Sequence, residues 1–133
     1  MKALQTRISR VGCLYDRMLM RTAVKELGES TLTEFDREVA DVAPDLCAPF
    51  NVAASRLEGQ LLMIYKTVVQ SVRREEDLEK SARCWGAMVK QCDEFAKRLH
   101  DLSVSHPGCG AEVFSDRVLD LRNRCQRFQK MLS

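Results

Sequence analysis

The chain has 133 residues, 45% of them hydrophobic and 30% charged, which fits a single globular domain over 1–133 and excludes a disordered polymer. Six glycines and three prolines are too few for a turn-dense sandwich or barrel. With 21 basic against 19 acidic residues, the net charge of +2 supplies no global field for nucleic acid or a membrane.

Hydrophobic residues recur with a helical period along the chain. Over residues 3–27, Leu4, Ile8, Val11, Tyr15 and Met18 advance by alternating steps of four and three, one stripe of a helix. Met20, Val24 and Leu27 lie nearly opposite that stripe. Gly28 follows the last periodic residue and is expected to end the helix as its left-handed C′ residue. Thr31-Leu32-Thr33-Glu34 then reads as a capping box opening a short helix with Leu32, Phe35, Val39 and Val42, which Pro44 stops.

Pro49 suits the first turn of the next helix. That helix runs to about Arg74 with Phe50, Ala54, Leu57, Leu61, Ile64, Val68 and Val72 on one face. Basic Arg73-Arg74 followed by acidic Glu75-Glu76-Asp77 complements a helix end and a helix start, so a tight turn is expected there rather than a continuous helix. From Leu78 the stripe is Leu78, Ala82, Trp85, Met88, Cys92, Phe95, Leu99 and Leu102, with charges on the opposite side. Residues 103–110, containing His106-Pro107-Gly108, form a loop. A last helix carries Phe114, Val118, Leu121, Cys125, Phe128 and Leu132 in a heptad rhythm. These elements predict an all-α fold, an antiparallel four-helix bundle of long helices with one additional short helix. Gly12, Gly59 and Gly86 fall inside predicted helices and are candidate points of close helix approach.

Two stretches carry more apolar or more charged residues than a plain bundle needs. Leu62 and Val69 make a second stripe on the helix from Phe50, and Met63 points away from both. With Met20, Val24 and Leu27, they are the candidate partner-binding residues if they are not covered by the short helix. Residues 28–48 hold Glu29, Glu34, Asp36, Glu38, Asp41 and Asp45 against Arg37 alone. Within that stretch Glu34, Glu38 and Asp41 are a candidate acidic patch, either packed on the basic first helix or steering a charged partner.

Catalytic and metal-binding patterns are missing from the sequence. There is no Glu-x-x-His pair for a carboxylate-bridged metal, no Cys-x-x-Cys, no phosphate loop and no nucleophile elbow. His100 has no carboxylate one turn before it and reads as a surface histidine. His106 and Cys109 could be pictured as a nucleophile pair but lack a third group nearby to orient them. The basic residues of the last helix spread over three sides, and aromatics make up only 6% of the chain and sit on core stripes, so no base-stacking platform is expected.

Six cysteines, Cys13, Cys47, Cys84, Cys92, Cys109 and Cys125, accompany a start without an apolar signal segment. The longest apolar run, Leu61 to Tyr65, is far too short to cross a bilayer. The expectation is therefore reduced thiols in the cytoplasm or nucleus. It extends to a non-catalytic protein–protein interaction module, a helical-bundle adaptor or small subunit of a cytosolic complex. Its partners are other proteins or a second copy of the chain, with no cofactor, metal or nucleic acid. A regulator of an enzyme or small GTPase, acting through the acidic helix, is the alternative; nucleic-acid binding and a Cys/His enzyme rank below both.

Overall fold

The computed structural model describes residues 20–42 and 47–132. Helix takes up 91% of these residues and no strand occurs among them, so the fold is all-α. The described helices are α1 (Met20–Ala40), α2 (Cys47–Arg74), α3 (Leu78–Ser105) and α4 (Ala111–Leu132). The stripe Leu4 to Met18, with Gly12 and Cys13, lies outside the described residues.

Helix α1 corrects the expected break at Gly28. One helix runs through Gly28 and through the expected capping box, so the short second helix is the C-terminal half of α1. The cause is a continuous buried stripe: Val24, Leu27, Thr31, Leu32 and Phe35 keep the helical step, and stopping at residue 28 would throw them out of phase. Thr31 is not a cap. Its hydroxyl donates to the Leu27 carbonyl at 2.8 Å, one turn back, and Thr33 does the same to Glu29 at 2.9 Å. Gly28 is retained in the helix because a Cβ there would overlap the Gln91 carboxamide of α3.

The other boundaries follow local chemistry. Pro49 lies in the first turn of α2, where its missing N–H costs nothing. The expected turn at 75–77 is present. Asp77 caps α3, its carboxylate accepting from the backbone N–H groups of Glu79 at 2.9 Å and Lys80 at 3.3 Å. Helix α3 extends past the expected end at Leu102, because His106 N–H closes a last bond to the Leu102 carbonyl at 2.8 Å. In the loop that follows, Gly108 and Gly110 adopt φ of +87° and +79°, which only glycine takes without strain.

Helix α3 is the centre of the fold and packs on each of the other three described helices; α1 and α4 each meet α2 and α3. Its buried face, Trp85, Met88, Cys92, Phe95, Leu99 and Leu102, follows the predicted stripe, except that Leu78 at the helix start is 60% exposed; Lys80, Arg83, Lys90, Glu94, Lys97 and Asp101 are exposed as expected. At one end Trp85 meets Tyr65 of α2 at 5.8 Å and Phe128 of α4 at 4.9 Å between ring centroids. At the other, Phe50 of α2 meets the His106 ring at 4.4 Å. Between α3 and α4, Asp93 accepts from Arg122 at 2.7 Å and the Ala96 carbonyl accepts from Ser115 at 3.3 Å, so later residues of α3 meet earlier residues of α4. The reverse holds for α1 and α3: Gly28 meets Gln91 and Asp36 pairs with Arg98, advancing together.

Candidate functional site

The six candidate partner-binding residues separate into two groups. Met20, Val24 and Leu27 are 3%, 1% and 5% exposed and belong to the core, so they form no binding patch. They lie on the side of α1 that meets α2 and α3. Val69 is half-buried and packs against the same core, and Met63 is half-buried as well. Leu62 alone of the six is open to solvent, at 42% exposed.

Leu62 lines an open cleft of about 300 Å³ between α2 and α4. Leu61, Val118 and Leu121 form its apolar floor, and Glu58, Asp120 and Arg124 stand among its lining residues. The Glu58 carboxylate accepts from Arg117 Nε at 2.9 Å, which ties the two helices together beside the cleft. An aliphatic side chain above a closed floor, with charges of both signs around it, resembles the centre and rim of a protein interface. Gly59 precedes this stretch, and nothing among the described residues stands near a would-be Cβ there, so none of the described helices makes the expected close approach. Gly86 does approach α4, where a Cβ would stand 2.8 Å from Gln129 Nε2.

The acidic stretch is partly committed to internal pairing. Glu38 pairs with Arg56 of α2 and Asp36 with Arg98 of α3, so bases of α2 and α3 are among the partners of this stretch; Arg7, Arg10 and Arg17 of the expected first helix lie outside the described residues. Glu34 is half-buried and Asp41 is exposed. Exposed pairs of this kind contribute roughly 0–1 kcal/mol each. Elsewhere, a groove of about 980 Å³ between α1 and α3 is lined by Arg21, Lys25, Arg83, Lys90 and Arg98 against Glu29 and Glu94, so basic residues predominate in it.

The two histidines differ in exposure and in partners. His100 is exposed. His106 Nδ1 lies 2.8 Å from Ser105 Oγ while its ring packs on Phe50. Cys109, which the sequence pairs with His106, instead donates to Cys47 Sγ at 3.0 Å. No group of three or more His, Cys, Asp or Glu converges on a metal-sized site among the described residues.

Two thiol pairs were not anticipated as pairs. Cys47 and Cys109 stand at the junction of α2 with the α3–α4 loop. Cys92 and Cys125, both fully buried, join α3 to α4 through a side-chain hydrogen bond. The second pair had a signal, since both residues lie on core stripes of adjacent helices. The first had none, being 62 positions apart with one member in a loop. No helix among the described residues is long and apolar enough to cross a membrane. Comparison with known proteins finds no family that matches the chain, no similar curated protein and no similar solved structure.

Proposed function

We propose that the chain is a non-catalytic protein–protein interaction module, an antiparallel helical bundle serving as an adaptor or small subunit of a cytosolic complex. The observation that carries this reading is Leu62, a large aliphatic side chain left exposed above the apolar floor of the α2–α4 cleft. The bundle arrangement is supported by ring contacts at opposite ends of α2 and α3, Tyr65 with Trp85 and Phe50 with His106. It is also supported by the opposed stepping of contacts between α3 and α4. Helices α1 and α3, which are not neighbours in the chain, step together instead. Against a nucleic-acid role, Arg117 and Arg122 of the last helix already pair with Glu58 and Asp93. The reduced cytoplasmic setting rests on five thiols that are free in the structure.

A partner helix or loop with an apolar anchor fits this cleft, with its charges facing Asp120 and Arg124. Burying a leucine at an interface contributes about 1.5–3 kcal/mol, roughly 10- to 150-fold in affinity. Leu62→Asp should therefore remove the protein that co-purifies with the wild-type chain while moving the urea midpoint little, since an exposed position costs about 0.5 kcal/mol or less. Val24→Asp, in the core, should unfold the chain. If Leu62→Asp retains the same bound protein in the same amount, the cleft is not the docking surface. The GTPase-regulator reading loses ground, because Asp36 and Glu38 are engaged within the fold.

A further inference from the structure

Cys47 lies in the first turn of α2 and Cys109 in the loop between α3 and α4, with their sulfur atoms 3.0 Å apart. A disulfide needs about 2.05 Å, so closing this pair requires the sulfurs to approach by about 1 Å. The surrounding backbone is already in place for it. Phe50 stacks on His106 at 4.4 Å, and a Cβ on Gly110 would stand 3.1 Å from Asn51 Oδ1, so the start of α2 is docked on the loop. Cys47 Sγ also lies 3.9 Å from the Gly108 carbonyl, a weak S–H···O contact. Among the described cysteines only Cys47 is partly exposed; Cys84, Cys92, Cys109 and Cys125 are buried.

We propose that Cys47 and Cys109 are a redox-modification site, a thiol pair that closes reversibly to a disulfide and clips the first turn of α2 to the α3–α4 loop. The site is independent of the interaction reading above. The oxidant is a low-molecular-weight disulfide. Cys47, as thiolate, attacks one of its sulfur atoms, forming a mixed disulfide and expelling one small thiolate, which takes up the proton that Cys47 released. Cys109 then attacks the Cys47 sulfur; the mixed S–S bond breaks, and the second small thiol leaves with the Cys109 proton. Two protein thiols lose two electrons and two protons, and the small disulfide is reduced to two thiols. The order follows from the structure: Cys47 is the sulfur an oxidant can reach, and Cys109 waits behind it. Cys109 also holds its proton more firmly than an ordinary thiol, first through the hydrogen bond to Cys47 and then through burial, which leaves Cys47 as the first nucleophile. A small thiol in excess reverses both steps.

The test incubates the reduced, folded chain with oxidised glutathione, blocks residual thiols, and maps the peptides by mass spectrometry. The expected product is a Cys47–Cys109 linked peptide, with the intact chain lighter by two hydrogen atoms. Because the clip closes a long loop of the unfolded chain, the oxidised protein should melt roughly 10 °C above the reduced one. Cys109→Ala should stop at a glutathione adduct on Cys47. Cys47→Ala, at a partly exposed first-turn position, should fold normally and leave Cys109 unmodified. A lasting glutathione adduct on Cys47 of the native chain would overturn the proposal. So would preferential linkage of Cys92 to Cys125, or full recovery of both Cys47 and Cys109 as free thiols.

Discussion

Gly28 lets α1 lie against the Gln91 side chain of α3, whose buried Oε1 has no hydrogen-bond partner among the described residues. Glycine in a helix interior costs about 1 kcal/mol relative to alanine. Here the missing Cβ leaves room for the Gln91 carboxamide, and overpacking would cost about 1–3 kcal/mol. Gly28→Ala should therefore lower the unfolding free energy by roughly 1 kcal/mol in chemical denaturation. In a Gln91→Ala background the same substitution should raise it by about 0.5–1 kcal/mol, because only the propensity gain remains. The same sign in both backgrounds would mean that Gln91 does not decide this position. Gly28 also shows where sequence reading runs out at this scale. A glycine after a periodic stretch fits a helix end and a close helix approach equally well, and the residue that decides between them is on another helix. The charges around Asp77 needed no such partner.

The break between α2 and α3 is encoded locally. Arg73 and Arg74 close α2, and Asp77 holds the Glu79 and Lys80 N–H groups, so the signals for stop and start lie within a few residues. Asp77→Ala should cost about 1 kcal/mol, read as a lowered urea midpoint with an unchanged denaturant slope; an unchanged midpoint would deny the cap its role. The core stripes of α2, α3 and α4 were legible for a related reason, since each buries one face and periodicity reports it. Helix α1 was not. Its buried residues extend a stripe through Gly28 and Thr31, two residues whose usual places are ends and caps. The candidate surface was legible only in part. Leu62 and Val69 share an apolar stripe, but only neighbouring helices decide that Val69 packs on the core and Leu62 opens onto a cleft.

At the scale of the molecule, one buried core gathers around α3, and its thiols give it a pH dependence. Cys84 is pushed up by burial and then by the Glu75 charge; Cys92 is pushed up by its hydrogen bond with Cys125 and by burial, while the same hydrogen bond lowers Cys125, so the two members of that pair act in opposite directions. An unfolded thiol titrates near about 8.5. Above that value the unfolded chain releases protons that the folded chain keeps, so the stabilisation is complete below it and is lost as pH rises toward the folded values. The loss approaches about 1.4 kcal/mol per pH unit for each raised thiol. The urea midpoint of the reduced protein should therefore fall from about pH 8 to about pH 10, and Cys84→Ala should fall less steeply. Equal slopes would remove Cys84 from the explanation.

The interaction reading places the binding event on one side of this core, at Leu62, and leaves the charged face of α3 to solvent. The most direct measurement is photo-crosslinking in cells, with a benzophenone amino acid placed at position 62 in one chain and at position 97 in another. Leu62 should give one discrete protein adduct, while Lys97, exposed on the opposite face of α3's buried stripe, should give none. Matching adducts from both positions, or none from position 62, would contradict the account.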